Sequence, residues 1–146
     1  MTAVPVALDA LVSLVSGDAG FTGVRVFDGP WIVRPSDPDV IVIGWTPDER
    51  APVGFVENPV LGSSESSFTV RGLVSSWTGD DNMPGVRGRV DELLETLRVA
   101  LRGDPSLGGV VTIATLDAGQ FTPLRSEQGC EALWDFTIRV DAASHP

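Results

Sequence analysis

Lysine is absent from this chain of 146 residues, and all ten basic residues are arginines. Asp and Glu together number 20, which leaves a formal net charge of −10 at pH 7. Affinity for DNA or RNA comes mainly from Lys and Arg that neutralise phosphates, so a protein that wraps nucleic acid is not expected. A surface that nucleic acid slides past without sticking is compatible with this charge.

Cysteine and histidine occur once each. Cys130 cannot form an intramolecular disulfide and is predicted to be an inert thiol in the core. His145 is the penultimate residue, where chains are usually mobile, so neither a catalytic triad nor a zinc site is expected on it. Asp80-Asp81 and the pair Asp37 and Asp39 lack the ligand spacing of a calcium loop and are predicted to be turn and cap residues. The sequence predicts no enzyme, no metal site and no cofactor.

Long apolar runs are also missing, since no stretch reaches the roughly 18 uninterrupted apolar residues that suggest a membrane-spanning helix. The apolar N-terminal stretch lacks a positively charged start, and Asp9 interrupts it, so a signal peptide is not expected. We expect synthesis and folding in the cytoplasm, without a membrane partner.

Two segments have the apolar spacing of amphipathic helices. Residues 5–16 predict a first helix, in which Pro5 suits the first turn and Gly17 the end. Residues 83–102 predict a second helix, with Asn82 or Asp81 as its N-cap. Its predicted buried stripe comprises Val86, Val90, Leu93, Leu94, Leu97 and Leu101.

Several short segments read as strands, because they alternate between apolar and polar residues or are continuously apolar. They are residues 23–27, 39–45, 65–77, 110–116 and 132–140. Residues 39–45 are apolar on both faces, which predicts a central strand. Residues 46–64 form a long irregular segment, the kind that is usually functional or disordered, and could include an edge strand near residues 51–56.

This order of elements predicts an α+β fold with a mostly antiparallel sheet of about four to five strands and two helices packed on one face. We expect one domain over residues 1–146, with a long loop at about 46–64 and a mobile tail at about 142–146. The Gly-rich stretch GDPSLGG, residues 103–109, follows a helix and precedes a strand. A phosphate-binding loop has the reverse order, so this stretch is predicted to be a connector.

Two of the four tryptophans lie at the ends of predicted elements. Trp31 follows a turn and Trp77 precedes one, whereas Trp134 belongs to the apolar face of the last strand. Trp31 and Trp77 fit two readings, a partly buried lid or an interface anchor, because interfaces favour Trp. Both readings stay open at this point.

Three motifs follow one another along nearly the whole chain. V-x-V-x-D-G-P spans residues 24–30, R-x-x-V-x-x-L-L-x-x-L begins at Arg87, and D-P-S-L-G-G-V-V spans residues 104–111. Between an N-terminal helix and a Phe- and Val-rich closing strand, this order resembles the tail terminator (tail completion) proteins of long-tailed double-stranded DNA phages.

The resemblance implies a structural virion protein at the tail–neck junction, without catalysis. It implies a homohexameric ring that caps the tail tube at its final length and then joins the head connector or stopper protein. DNA would pass through the lumen without specific binding. As interface hypotheses, Arg50 and Phe55 in the long segment contact the tube subunit, and Trp31 and Trp77 are further candidate interface residues.

Three alternatives remain open. Another neck component, such as a head–tail stopper or head-closure protein, shares the ring geometry, although stoppers tend to be β-barrel-like. A small-ligand-binding or enzymatic α+β domain would have a pocket with convergent polar groups. A tail tube subunit would polymerise into long tubes instead of stopping at one ring.

Overall fold

The computed structural model describes residues 4–34, 36–47, 55–59 and 65–143. The two α-helices are α1 (Val4–Gly17) and α2 (Met83–Gly103). The strands are β1 (Arg25–Asp28), β2 (Asp39–Ile43), β3 (Phe55–Pro59), β4 (Glu65–Thr78), β5 (Ile113–Ser126) and β6 (Gly129–Ala143). A single 3-10 turn, Ala19–Phe21, follows α1. Within these ranges, no helix combines the length and the hydropathy needed to cross a bilayer.

The strands form one sheet in the order β1-β2-β4-β6-β5, with β3 also paired to β4. β2 pairs with residues 72–76 of β4 and β3 with residues 66–70, both antiparallel. Because β6 occupies the other edge of β4 along its whole length, β2 and β3 lie end to end on the same edge. The sheet therefore has five rows, and β1 with β2 is a parallel pair among antiparallel ones. The predicted α+β class is confirmed.

Both helices pack on one face of the sheet, as predicted, because their apolar stripes meet the apolar face of the central strands. From β4 and β6 this face receives alternate residues such as Phe68, Val70, Phe136 and Ile138, each at most 1% exposed. The predicted stripe of α2 is buried throughout. Asn82 is the N-cap, and its side chain accepts a hydrogen bond from the Gly85 N–H.

The opposite face, called the open face here, carries a smaller apolar cluster over β1, β2 and β4. Its buried members are Phe27, Val40, Val42 and Leu73. No second layer of helices is needed, since Trp31, Trp45 and Leu133 pack against this cluster from outside. This explains how β2 is buried on both faces, as its sequence predicts, although it lies next to the edge strand β1.

The Gly-rich stretch is a connector, as predicted. It links α2 to β5. The chain from β4 through α2 to β5 is a crossover connection, because β4 and β5 are parallel and β6 lies between them. Asp104 caps the end of α2, and its side chain accepts a hydrogen bond from the Gly108 N–H. Gly108 and Gly109 have φ angles of 71° and 89°, which glycine adopts at little cost. Leu107 is 4% exposed and anchors the turn in the core.

The outer edge of β5 is protected against pairing with another strand. The Ala114 N–H donates to the Pro105 carbonyl over 2.7 Å, so the connector itself covers the start of this edge. A register shift lies between Ala118 and Phe121. Pro123 removes one further donor. Bulges and prolines are common devices for blunting an edge strand, so association through this edge is disfavoured.

Several predicted boundaries differ from those observed. β5 begins at Ile113 instead of residue 110 and continues to Ser126, and β6 begins at Gly129 instead of residue 132. The edge strand expected near residues 51–56 is β3 at Phe55–Pro59. β6 continues to Ala143, so Ala142, where the tail of about residues 142–146 was expected to begin, is buried in the strand opposite Ser66. His145 and the rest of residues 144–146 lie outside the described residues.

Candidate functional site

Trp31 lies on the open face and covers the small apolar cluster. It is half-buried and packs against the cluster formed by Phe27, Val40, Val42 and Leu73. Its Nε1 atom is buried and has no hydrogen-bond partner among the described residues. A buried indole N–H usually finds a partner. The lid reading predicted for Trp31 fits these contacts, and the interface reading stays a prediction.

Trp77 lies at the end of β4, on the same open face. It lines a cavity of about 330 Å³ together with Val33, Asp37 and Glu131, next to the β5–β6 turn. A smaller cavity of about 220 Å³ continues from Trp77 towards Leu124. The structure thus brings Trp31 and Trp77 to one face, where Val33 and Leu124 are 66% and 50% exposed.

Two carboxylates line the cavity beside Trp77. Burial raises the pKa of Glu131, and a hydrogen bond with the Ser75 side chain partly opposes this effect. Oδ2 of Asp37 is buried without a hydrogen-bond partner in the described ranges. This end of the sheet therefore has a protonation-sensitive acid next to an aromatic ring. No cluster of three or more His, Cys, Asp or Glu residues suited to a metal ion occurs within the described parts of the chain.

The other two predicted interface residues, Arg50 and Phe55, belong to the segment of residues 46–64. Arg50 lies outside the described residues. Phe55 begins β3, and its backbone pairs with Val70 of β4, but its side chain also lies outside what the structure describes. The structure therefore places Phe55 in the sheet, on the row that continues β2. Neither tube contact is tested by this placement.

A second surface lies on the helix side, between α2 and the β5–β6 hairpin. This surface, the α2 groove, has a volume of about 430 Å³ and is lined by Pro84, Arg87, Gly88, Asp91, Phe121 and Trp134. Phe121 and Trp134 form its floor as an edge-to-face pair, with ring centroids 5.6 Å apart. Trp134 Nε1 donates to the Gly119 carbonyl over 3.2 Å, which fixes the indole and satisfies its polar atom.

The register shift in β5 holds the floor of the groove in place. Asp135 Oδ1 accepts a hydrogen bond from the Gln120 N–H over 2.7 Å. A Cβ atom at Gly119 would collide with the same carboxylate and crowd the Asp135 carbonyl oxygen, so a larger residue would displace the Asp135 side chain from this contact. The irregularity ends at Phe121, which pairs with Trp134 across the two strands. The groove floor is therefore built by the fold and does not depend on a flexible loop.

An ion pair fixes the position of α2 on the sheet. Asp39 of β2 accepts hydrogen bonds from Arg89 Nε at 2.9 Å and from the Ser76 hydroxyl at 2.7 Å. The hydrogen bond to Asp39 raises the pKa of Arg89, with further electrostatic support from Asp39 and Glu92 against a smaller penalty of burial. This contact sets the N-terminal half of α2 against β2 and β4, and so fixes one wall of the groove.

No protein-family model matches this chain, and no curated protein matches it.

The resemblance to tail terminator proteins therefore stays a prediction. The α2 groove is the surface that the sequence did not reveal. Trp134 is recognisable as a core residue, but its partner Phe121 lies in a stretch without strand alternation. One signal was available: Gly88 falls in the middle of a predicted helix, where glycine weakens the helix.

Proposed function

We propose that this chain is a structural subunit of a tail terminator ring, which caps the tail tube of a long-tailed double-stranded DNA phage and provides the head-joining surface. The observation that carries the proposal is the order of elements. The order begins with a short helix, a strand and a turn. It continues with two strands that lie end to end, and with a long amphipathic helix that DPSLGG connects to the closing hairpin. This order underlies the resemblance, and the α+β architecture is compatible with it.

The distribution of exposed apolar residues supports an assembly role. Exposed apolar residues occur on the open face, where Val33 and Leu124 are 66% and 50% exposed, and on α2, where Val99 is 58% exposed. The α2 groove exposes aromatic surface on the opposite, helix face. A subunit within a ring needs two distinct contact surfaces, one for each neighbour.

The charge supports the passage of DNA through such a ring. A net charge of −10 and the absence of lysine leave few groups that could hold phosphates. Four of the ten arginines are already engaged with carboxylates in the described part of the chain: Arg89, Arg98, Arg125 and Arg139. A lumen built from such subunits would repel DNA instead of binding it.

The proposal is tested with tubes assembled from the tail tube protein of the same phage. Added at the start of tube growth, the protein is expected to bind tube ends and to arrest elongation at a defined length. Free tube ends and unchanged growth would contradict the proposal. Binding only to the head connector, with no effect on tubes, would favour a stopper or head-closure protein instead.

The hypothesis for the long segment has its own test. Arg50→Ala and Phe55→Ala are expected to abolish capture of tube ends while leaving the circular dichroism spectrum unchanged. Arg102→Ala, an exposed change at the end of α2, serves as the control and is expected to behave as wild type. Normal tube capture by both variants would remove Arg50 and Phe55 from the interface.

A further inference from the structure

Gly88 occupies an exposed position in the second turn of α2, and none of the described residues requires glycine there. A Cβ atom at this position would meet no atom within 4 Å. Glycine in a helix interior costs about 1 kcal/mol relative to alanine. By contrast, a Cβ at Gly85 of the same helix would collide with the Asn82 cap, which accounts for that glycine. The missing side chain at Gly88 instead opens the α2 groove towards Phe121 and Trp134.

The groove is suited to branched aliphatic side chains flanked by a charge. The floor of the groove is formed by the edge-to-face pair of Phe121 and Trp134. The volume of the groove, about 430 Å³, is larger than one small side chain would fill. Arg87 and Asp91 stand on its helix wall, both exposed. An occupant should therefore present apolar groups to the floor and a charged group to the wall.

Such a segment exists on the chain itself. Ile32 and Val33 are adjacent aliphatic residues in the segment after β1, 56% and 66% exposed, and Arg34 follows them directly. Arg34 complements Asp91 but has the same charge as Arg87, the other charged residue on the groove wall, so the contact requires Arg34 to face Asp91. Opposite charges across a contact fix its register and exclude wrong partners.

The two surfaces cannot meet within one molecule. Val33 shares a cavity with Trp77 and Glu131 on the open face, whereas Phe121 and Trp134 lie on the helix face. The central sheet separates the two. We propose that the Ile32–Val33 segment of one copy inserts into the α2 groove of the next, with Arg34 facing Asp91. Because donor and acceptor surfaces differ, this contact is head-to-tail, and repeated it closes a ring or continues as a filament.

This contact would give the proposed ring its subunit interface, but it stands independently of tube binding. Wild-type protein can fail to cap tubes while the contact forms, or can cap tubes through another interface. The experiments below detect the contact in the isolated protein, so failure of this inference and failure of the proposed function are distinguishable.

Disulfide cross-linking tests the contact even if the association is weak. Gly88→Cys and Val33→Cys are made in separate proteins, mixed and oxidised; the native Cys130 is 1% exposed and should not compete. Docking raises the effective concentration of the two thiols, so the mixed dimer is expected to form about tenfold faster, or more, than in a control. The control mixes Val33→Cys with Val99→Cys, since Val99 is exposed on α2 outside the groove. Equal rates would overturn the proposal.

Charge exchange tests the partner of Arg34. Arg34→Asp and Asp91→Arg are each expected to weaken self-association by about tenfold, because each places like charges together. In an equimolar mixture, every contact between the two variants is again attractive, so association is expected to return with the variants alternating. Sedimentation velocity of each variant and of the mixture measures this. A mixture no more associated than either variant alone would overturn the assignment.

Discussion

Gly72 lies at the centre of β4, where the sheet is packed most closely. It pairs with Ile43 of β2 on one side and with Phe136 of β6 on the other. A Cβ atom at this position would meet Phe136 Cζ at 2.5 Å and Cε1 at 2.8 Å, and the carbonyl oxygen of Val42 closer still. Gly72→Ala therefore adds one methyl group where no space exists.

The loss of stability in Gly72→Ala depends on which atoms would have to move to make room for the methyl group. Phe136 is 1% exposed and held by the helix-face core, and the Val42 carbonyl belongs to the backbone of a buried strand. Neither can yield as the tip of a flexible side chain would. Inserting a methyl group into a well-packed core costs typically 1–3 kcal/mol and occasionally more, and we expect about 3 kcal/mol here. For a chain of this size that lowers Tm by roughly 6–12 °C.

Urea unfolding followed by tryptophan fluorescence and by circular dichroism measures the change. Gly88→Ala is the matched control: the same substitution meets no atom within 4 Å, in the interior of a helix. It is expected to stabilise the protein by about 0.5–1 kcal/mol. If Gly72→Ala cost less than about 0.5 kcal/mol, or the two alanine variants shifted stability in the same direction, the packing argument would be refuted.

Three further substitutions test other contacts. Asn82→Ala removes the N-cap of α2 and is expected to cost about 1 kcal/mol in the free energy of unfolding, measured by urea titration. Because burial raises the pKa of Glu131, the folded state binds its proton more tightly than the unfolded state, and stability falls as pH rises through that range. Glu131→Gln should therefore be more stable than wild type at pH 7, with the difference vanishing below about pH 4 in thermal melts; an equal gain at both pH values would contradict this. Asp39→Asn, which breaks the ion pair with Arg89, is expected to cost about 1–2 kcal/mol, against nearly zero for Glu92→Gln at an exposed pair; equal losses would contradict the role given to Asp39.

The parts of the fold that the sequence predicted are those where burial leaves a periodic pattern. α2 has a continuous apolar stripe at helical spacing, and β6 alternates from Ala132 to Val140 because one of its faces lies under the helices. The N-cap, expected at Asn82 or Asp81, and the connector at residues 103–109 were also predictable, because caps and turns have strong local residue preferences.

The second half of β5 was missed for a physical reason. From Asp117 to Gln120 every residue is exposed, and beyond the register shift most residues remain so. A hairpin arm that extends past the core buries neither face, so its sequence shows no alternation. The same stretch contains Gly119 and Pro123, which indicate loops in a single sequence but here serve a bulge and an edge.

The candidate surfaces, too, could be predicted only in part from the sequence. Trp31 and Trp77 were found because large aromatics at element ends are visible in sequence, yet their roles could not be separated without knowing that the cluster of Val40, Val42 and Leu73 lies beneath Trp31. The α2 groove could not be predicted, because it joins a helix face to two strands distant in sequence. Gly88 was the one sign of the groove in the sequence.

Closure of the ring is tested directly by a double variant that carries Val33→Cys and Gly88→Cys in one chain. After oxidation, each subunit can be linked to two neighbours, and denaturing mass analysis counts the linked subunits. We expect a ladder that ends at one closed species, which has six subunits if the resemblance to tail terminators holds. A product that stops at the dimer, or a ladder without an upper limit, would contradict a closed head-to-tail ring.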